Sequence, residues 1–392
     1  MLSLTLEFHQ GLILTMNQWY RLRKALTLLL VLQILNNEVS LAESLELKPL
    51  PGRLIHDASY LPRPPFWPPE FPWDGTGLNN DVSYRYGPSL IRYNGNHLHF
   101  WACSEGDSSV ADYIRYKHSS NGGVSWTEDT IALAPSIGTA DGWAICDPNI
   151  VKIGAYYYMA YTATDSALGA GLNNQIFVAR SLNPDKNFQK WNGSGWGGNP
   201  APIISYNGPV NRWGLGEPNM VVKANTLYLY YTEDTGTPRT RVATAFANNP
   251  NWPATLAQRG YAISNRASGE DQTDVKYLPE VNRFIATAVA NRFSNNSYVH
   301  VWESSNGLRF SPVSNSVVKA HLKTTAHNLG MSGDYLGHAQ MGKNEYIAYA
   351  YTGPDGSFGH WNTWLNQVII SGPAITRPKV RALPFLPLLL SD

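Results

Sequence analysis

Two stretches of the sequence place a carboxylate directly before Pro-Asn and then run into a Tyr-rich segment ending in Thr. They are Asp147-Pro-Asn-Ile-Val-Lys-Ile-Gly-Ala-Tyr-Tyr-Tyr-Met-Ala-Tyr-Thr and Glu217-Pro-Asn-Met-Val-Val-Lys-Ala-Asn-Thr-Leu-Tyr-Leu-Tyr-Tyr-Thr. In both, the last Tyr stands fourteen residues after the acid. Two carboxyls held in one site can divide acid and base roles, because burial and mutual repulsion keep one protonated while the other ionises. Cleavage of a glycosidic bond needs that division. A single acid before Pro is as readily a turn residue, so the functional reading rests on two of them at one template position.

The template must therefore be an element that brings its first residue to a shared place. It begins first at Gly87 (Gly-Pro-Ser-Leu-Ile-Arg-Tyr-Asn-Gly-Asn-His-Leu-His-Phe-Trp), and fainter copies begin at Asp274 and Gly337. The starts are 60, 70, 57 and 63 residues apart. Each copy reads as a strand, a tight turn and a second strand. A third alternating segment follows at 113–119, 175–181, 239–245, 298–304 and 366–371. Repeats of this length with three or four strands are propeller blades, whereas an all-β sandwich gives no reason for five units in one register. The expectation is an all-β, five-bladed β-propeller of four-stranded antiparallel blades over 81–371. Turns at Ser119-Ser-Asn-Gly-Gly-Val-Ser-Trp and Ser304-Ser-Asn-Gly-Leu-Arg-Phe resemble the Asp-box hairpin of sialidases, with Asn in place of Asp.

In a propeller the innermost strands start around one funnel, so Asp147, Glu217 and Asp274 are expected to converge there. Trp143 and Trp213 stand four residues before the first two acids, placed to stack on a sugar ring or to close gaps between blades. Arg292 falls at the rim, where it either binds a substrate carboxylate or pairs with one of the acids.

Composition narrows the function. The net charge is +1, and 15% of the 392 residues are charged, which leaves no basic field for nucleic acid. Thirteen Trp and 22 Tyr suit a carbohydrate partner as well as a β core. Residues 1–42 read as an export signal: Arg21, Arg23 and Lys24 precede an apolar run too short to span a bilayer, and Ser40-Leu41-Ala42 offers a cleavage site, with Met16 as an alternative start. The chain is thus expected to be secreted or periplasmic, without stable membrane insertion. Residues 43–80 read as a Pro-rich arm and 372–392 as a tail. Cys103 and Cys146 can form one disulfide, their geometry being open at this point.

The motifs Asp147-Pro-Asn with Tyr-Tyr-x-x-Tyr-Thr, and Gly216-Glu217-Pro-Asn with Leu-Tyr-x-Tyr-Tyr-Thr, resemble the inner-strand motifs of five-bladed glycoside hydrolases of family 43 and its relative family 32. The resemblance covers roughly residues 80–371 as a repeat pattern, with close matches only in short motifs. It implies a glycosidase in which Glu217 is the general acid and Asp147 the orienting, pKa-raising carboxylate, with no cofactor required. Gly337-His338 is similar to the Gly-His of family 43, which implies a His beneath the sugar and one axial Ca2+. The first blade departs from the pattern, since Gly87 stands where the family has its catalytic base. Asp274, or Asp81 from a loop, is then expected to serve as base. Two other readings remain: a sialidase-like exo-glycosidase, and a carbohydrate-binding propeller without catalysis.

Overall fold

The structure is a computed structural model that describes residues 44–56, 84–107, 109–165, 171–267, 269–352 and 361–372. The export segment, Asp81, the Pro-rich stretch after residue 56 and the tail after Gly372 lie outside the described residues.

Apart from one 3-10 turn at Trp252–Thr255, the regular elements of the described residues are all strands. In chain order the elements are β1 (Glu46–His56), β2 (Arg85–Tyr93), β3 (His97–Glu105), β4 (Asp112–Ser119), β5 (Thr130–Leu133), β6 (Ala144–Ile153), β7 (Tyr156–Thr164), β8 (Gln175–Ser181), β9 (Gln189–Lys190) and β10 (Gly214–Lys223). They continue with β11 (Thr226–Asp234), β12 (Arg239–Phe246), β13 (Ala257–Ile263), β14 (Asp274–Leu278), β15 (Arg283–Ala290), β16 (Tyr298–Ser304), β17 (Ser311–Val318), β18 (Ala326–Gly333), β19 (Asn344–Thr352) and β20 (Trp361–Ser371). Antiparallel pairing groups them into meanders β2–β5, β6–β9, β10–β13 and β14–β17. A fifth group, β18–β19–β20, is completed by β1. The stretch read from sequence as the start of an arm thus contributes a strand: Leu47, Pro49 and Arg53 lie opposite Ile370, Val368 and Leu365. Its prolines are tolerated because, among the described residues, β1 is an edge strand with a ladder partner on one side only. Short parallel bridges join β18 to β2 and β4 to β6, so three groups form one twelve-stranded sheet.

The first strands of the groups are neighbours in cyclic order: β2 on β6, β6 on β10, β10 on β14, β14 on β18, and β18 back on β2. The core is divided in the same way. Separate apolar clusters lie between consecutive groups, such as Ile91, Trp101 and Ile114 against Ile145, Met159 and Phe177, or Val151 and Tyr158 against Met220, Leu229 and Tyr231. Three further clusters fill the remaining junctions. Strand side chains alternate between faces, and with both faces buried each residue of a doublet serves a different neighbour. Tyr157 packs towards the first group and Tyr158 towards the third; Phe100 and Trp101 are divided likewise. Trp101 therefore lies on the face opposite to that used by Tyr161 and Tyr231. The first hairpin is one residue longer, and a one-residue slip exchanges faces.

Candidate active site

The Pro-Asn motifs form β-bulges. Between Cys146 and Asn149, between Gly216 and Asn219, and between Tyr86 and Ser89 the ladder registers shift, and the residues inside are Asp147-Pro148, Glu217-Pro218 and Gly87-Pro88. Proline suits a bulge because that position donates nothing to the ladder. Gly87, Asp147 and Glu217 have φ of 56°, 47° and 51°. Holding an acid at positive φ costs about 1–3 kcal/mol, a strain that concentrates at functional sites. The residue after Pro links the groups: Asn149 Oδ1 accepts from the Met220 N–H at 2.8 Å, and Asn219 Oδ1 accepts from the Val275 N–H at 3.0 Å.

This register corrects the two fainter copies. In the fourth group the Asp271 N–H donates to Val289 O, and Asp274 lies opposite Thr287. Asp274 therefore occupies the place of Asn149 and Asn219, and Gln272 that of Asp147. Like those asparagines, Asp274 accepts from a neighbouring backbone N–H, that of Met331, and it is also paired with Lys276. It lies outside the cavity wall. In the fifth group the bulge residue is Asn328, at φ 41°, rather than Gly337. The hairpin after Asn328 is extended by the segment from Asp334 onward, which carried the sequence alignment past the true start.

That segment accounts for His338. The carbonyls of Tyr335, Leu336 and Gly337 accept in turn from Lys152, Val222 and Tyr277, at the ends of β6, β10 and β14 remote from the bulges. Val222 is five residues beyond Glu217, roughly 16 Å along a strand. His338 Nε2 sits 2.5 Å from Val222 O, its Nδ1 is 3.6 Å from Asp334, and its ring lies edge-on to Tyr277. Both ring nitrogens thus face protein atoms at the far end of the strands, away from the acids. Among the described residues no group of three or more His, Cys, Asp or Glu is placed to hold a metal ion.

At the bulged end the strands surround a cavity of about 230 Å³. Asp147, Glu217, Trp143, Trp213 and Arg292 all line it, together with Tyr84, Tyr86, Asp112, His327, Asn328 and Trp361. Trp213 reaches this wall by lying over Gly216, where a Cβ would come within 2.3 Å of its ring. Gly87 is explained by Asp147: a Cβ on Gly87 would stand 2.6 Å from Asp147 Oδ1. The carboxyl of the second group occupies the space that a first-group side chain would need.

The buried polar groups form a connected set. The Thr162 hydroxyl donates to Asp147 and accepts from the Glu217 N–H at 2.8 Å. Burial nevertheless pushes its carboxyl up to about 7. The Thr232 hydroxyl donates to Glu217 Oε2 at 2.6 Å, and Asn328 Nδ2 lies 3.3 Å from Glu217 Oε1 and 3.5 Å from Asp271 Oδ2. Burial, then the nearby Asp271 charge, raises Glu217 well above the usual carboxylate range. Asp271 behaves oppositely. Burial pushes it up, but Arg292, the Glu217 hydroxyl and His327 outweigh burial and hold it well below the usual range. Arg292 contacts Asp271 Oδ2 at 2.6 Å, and His327 Nδ1 lies 2.7 Å from the same oxygen. Arg292 is thus paired with an acid. The fourth acid, Asp112, takes a hydrogen bond from Tyr84, and burial raises it to about 7.

Asp112, Asp271, His327 and Asn328 escaped sequence reasoning. Asp271 and Asn328 could have been found by aligning on the bulge rather than on the following aromatic strand. Asp112 begins a third strand, where the template carries no signal.

The sequence matches no protein-family model and no curated protein. Solved structures do resemble it. Zg3597, a family 117 glycoside hydrolase of the marine bacterium Zobellia galactanivorans, is 15% identical with a TM-score of 0.54, over 84% of this chain and 90% of that one. Its fold is similar to theirs in two further cases. A thermostable family-43 glycoside hydrolase is 14% identical (TM-score 0.53; 76% and 96% covered), and the α-L-arabinofuranosidase PaAbf62A of Podospora anserina is 12% identical (TM-score 0.52; 74% and 93% covered). At such identities the likeness concerns the fold.

Proposed function

We propose that this chain is a five-bladed β-propeller glycosidase acting on a poly- or oligosaccharide, with Glu217 as general acid and Asp147 as its ionised partner. Five antiparallel groups, cyclic contacts of their first strands and five inter-group cores support the propeller. The observation that carries the chemistry is the split between neighbouring carboxyls: Asp271 is held ionised by Arg292 and His327, and beside it Glu217 is held protonated. Glu217 then gives its proton to the departing glycosidic oxygen. Asp147, ionising near pH 7, either takes a proton from the attacking water or attacks the anomeric carbon itself. Relative to the roles expected from sequence, Asp147 moves from orienting acid to base, and Asp271 takes the orienting part. Trp143, Trp213 and Trp361 supply apolar walls for a sugar ring.

Export belongs to the same proposal, supported by the sequence of residues 16–42 and by a disulfide, which suits an oxidising compartment. The sialidase-like reading is less well supported, because Arg292 is the one arginine among the described residues of the cavity wall and is already paired with Asp271. The test is a panel of phenyl and alkyl glycosides, whose departing oxygens are basic: the wild type cleaves at least one member, and Glu217→Gln and Asp147→Asn each lose that activity while remaining folded. Equal activity in both variants would remove these residues from the mechanism.

A further inference from the structure

The cavity wall contains a covalent link that the proposed chemistry does not use. Cys146 lines the cavity and is the residue directly before Asp147; its sulfur is bonded to Cys103. Cys103 lies on β3 opposite Tyr86, the residue directly before Gly87. The bridge therefore ties β6, at the residue before the Asp147 bulge, to β3 at the position paired with the residue before the Gly87 bulge, beside the place where Asp147 Oδ1 lies against Gly87. The same groups are also joined here by a parallel bridge between Asp112 and Ala144 and by a hydrogen bond from the Ala111 N–H to Trp143 O, above the apolar cluster of Trp101, Ile114 and Ile145. Cys103 is fully buried, and Cys146 retains 8% exposure.

From this placement, and resting on the reading of Asp147 as the base, we infer that the Cys103–Cys146 disulfide is a positioning element. It holds the Asp147 bulge against Gly87 and makes activity depend on an oxidised bridge. Breaking it with a dithiol proceeds in two balanced steps. A thiolate of dithiothreitol attacks Cys146 Sγ, the S–S bond breaks, and Cys103 leaves as a thiolate that takes up a proton. The second dithiothreitol thiolate then attacks the mixed disulfide and frees Cys146, so the dithiol is oxidised as both cysteines are reduced. With the link gone, Asp147 is free to move off Gly87 towards the open cavity. Its carboxyl then falls from about 7 towards its ordinary value, since burial is the main cause of the elevation.

The experiment compares oxidised protein, protein reduced in the folded state with dithiothreitol, and the Cys103→Ala/Cys146→Ala double variant. Thiol counting establishes the redox state and near-UV circular dichroism establishes folding. On an aryl glycoside that the oxidised protein cleaves, reduction is expected to lower kcat at least tenfold, to leave KM within about twofold, and to move the acid limb of the kcat–pH profile to lower pH by at least one unit. If the double variant does not fold, the protein reduced in place still gives the comparison. A bridge that only stabilises would lower the melting temperature and leave kcat and the acid limb of the folded enzyme unchanged; that result overturns the inference and leaves the glycosidase reading intact. Oxidised protein inactive on every glycoside overturns both.

Discussion

Replacing Asp271 with asparagine removes the anion beside Glu217 while keeping a side chain of the same shape. Asn328 Nδ2 is 3.3 Å from a Glu217 oxygen and 3.5 Å from an Asp271 oxygen. Those two oxygens are then no more than about 7 Å apart, and the carboxyls are in hydrogen-bond contact, so unit charges there repel by at least about 2 kcal/mol at an effective dielectric near 20. This corresponds to at least about 1.5 pH units in the ionisation of Glu217. The acid must be protonated to act, so the basic limb of kcat/KM against pH should move to lower pH by at least that amount in Asp271→Asn. It should stay above the ordinary glutamate range, because burial, the larger cause, remains. The acid limb should move little. Stability should fall as well, since Arg292 and His327 lose their shared partner. Arg292 is 37% exposed, so the loss should be about 2 kcal/mol, below the 3–5 typical of a fully buried pair. The assay is initial-rate hydrolysis of an aryl glycoside between pH 4 and 10, beside urea melts at pH 7. A basic limb that stays in place while stability falls would show that Asp271 is structural and that Glu217 is not the titrating acid.

Other outcomes follow from the same contacts. Thr162→Val removes the hydroxyl that donates to Asp147; a hydrogen bond to a charged group is worth about 1.5–3 kcal/mol, so the acid limb should rise by about one pH unit. Asp112, raised to about 7 by burial, contributes its stability in full below pH 4 and loses it as pH rises through 7. Asp112→Asn should therefore raise the melting temperature at pH 8, by about 1–3 kcal/mol in stability, and change it little at pH 4; an equal change at both pH values would count against a titrating Asp112. Gly87→Ala places a Cβ against Asp147 at a positive φ, which should cost about 1–2 kcal/mol for the backbone alone and lower kcat. Gly87→Asp should lose activity in the same assay, and a gain would mean that a first-group base had been restored.

Much of the architecture was legible because a strand buried on both faces leaves a regular record. The Tyr-Tyr doublets at 157–158 and 230–231 and the Pro-Asn bulges repeat in a register that no isolated turn would produce. Asp147 and Glu217 could be paired from that register alone. The fourth and fifth groups were misaligned for different reasons. Asp274 mimics the bulge acid in sequence but sits two residues later, where Asn149 and Asn219 link neighbouring groups through backbone N–H donors. In the fifth group the insertion carrying His338 separates the bulge from its aromatic strand, and Asn328 has no Pro after it. Asp112, Arg292 and His327 reach the cavity from different strands and loops, so their meeting is a property of how the groups pack together that no local spacing encodes. The Cys103–Cys146 pairing became definite only once β3 and β6 were known to be neighbours.

The division of labour between Glu217 and Asp147 is tested most directly by varying the leaving group in wild type, Glu217→Gln and Asp147→Asn. A general acid matters most when the departing oxygen is basic and least when it leaves readily as an anion. Glu217→Gln should therefore lose at least a hundredfold in kcat/KM on a phenyl or alkyl glycoside and retain most of its rate on the dinitrophenyl glycoside of the same sugar. Asp147→Asn should lose comparably on both. Equal losses across leaving groups for Glu217→Gln would contradict its assignment as the acid, and with it the reading of this cavity.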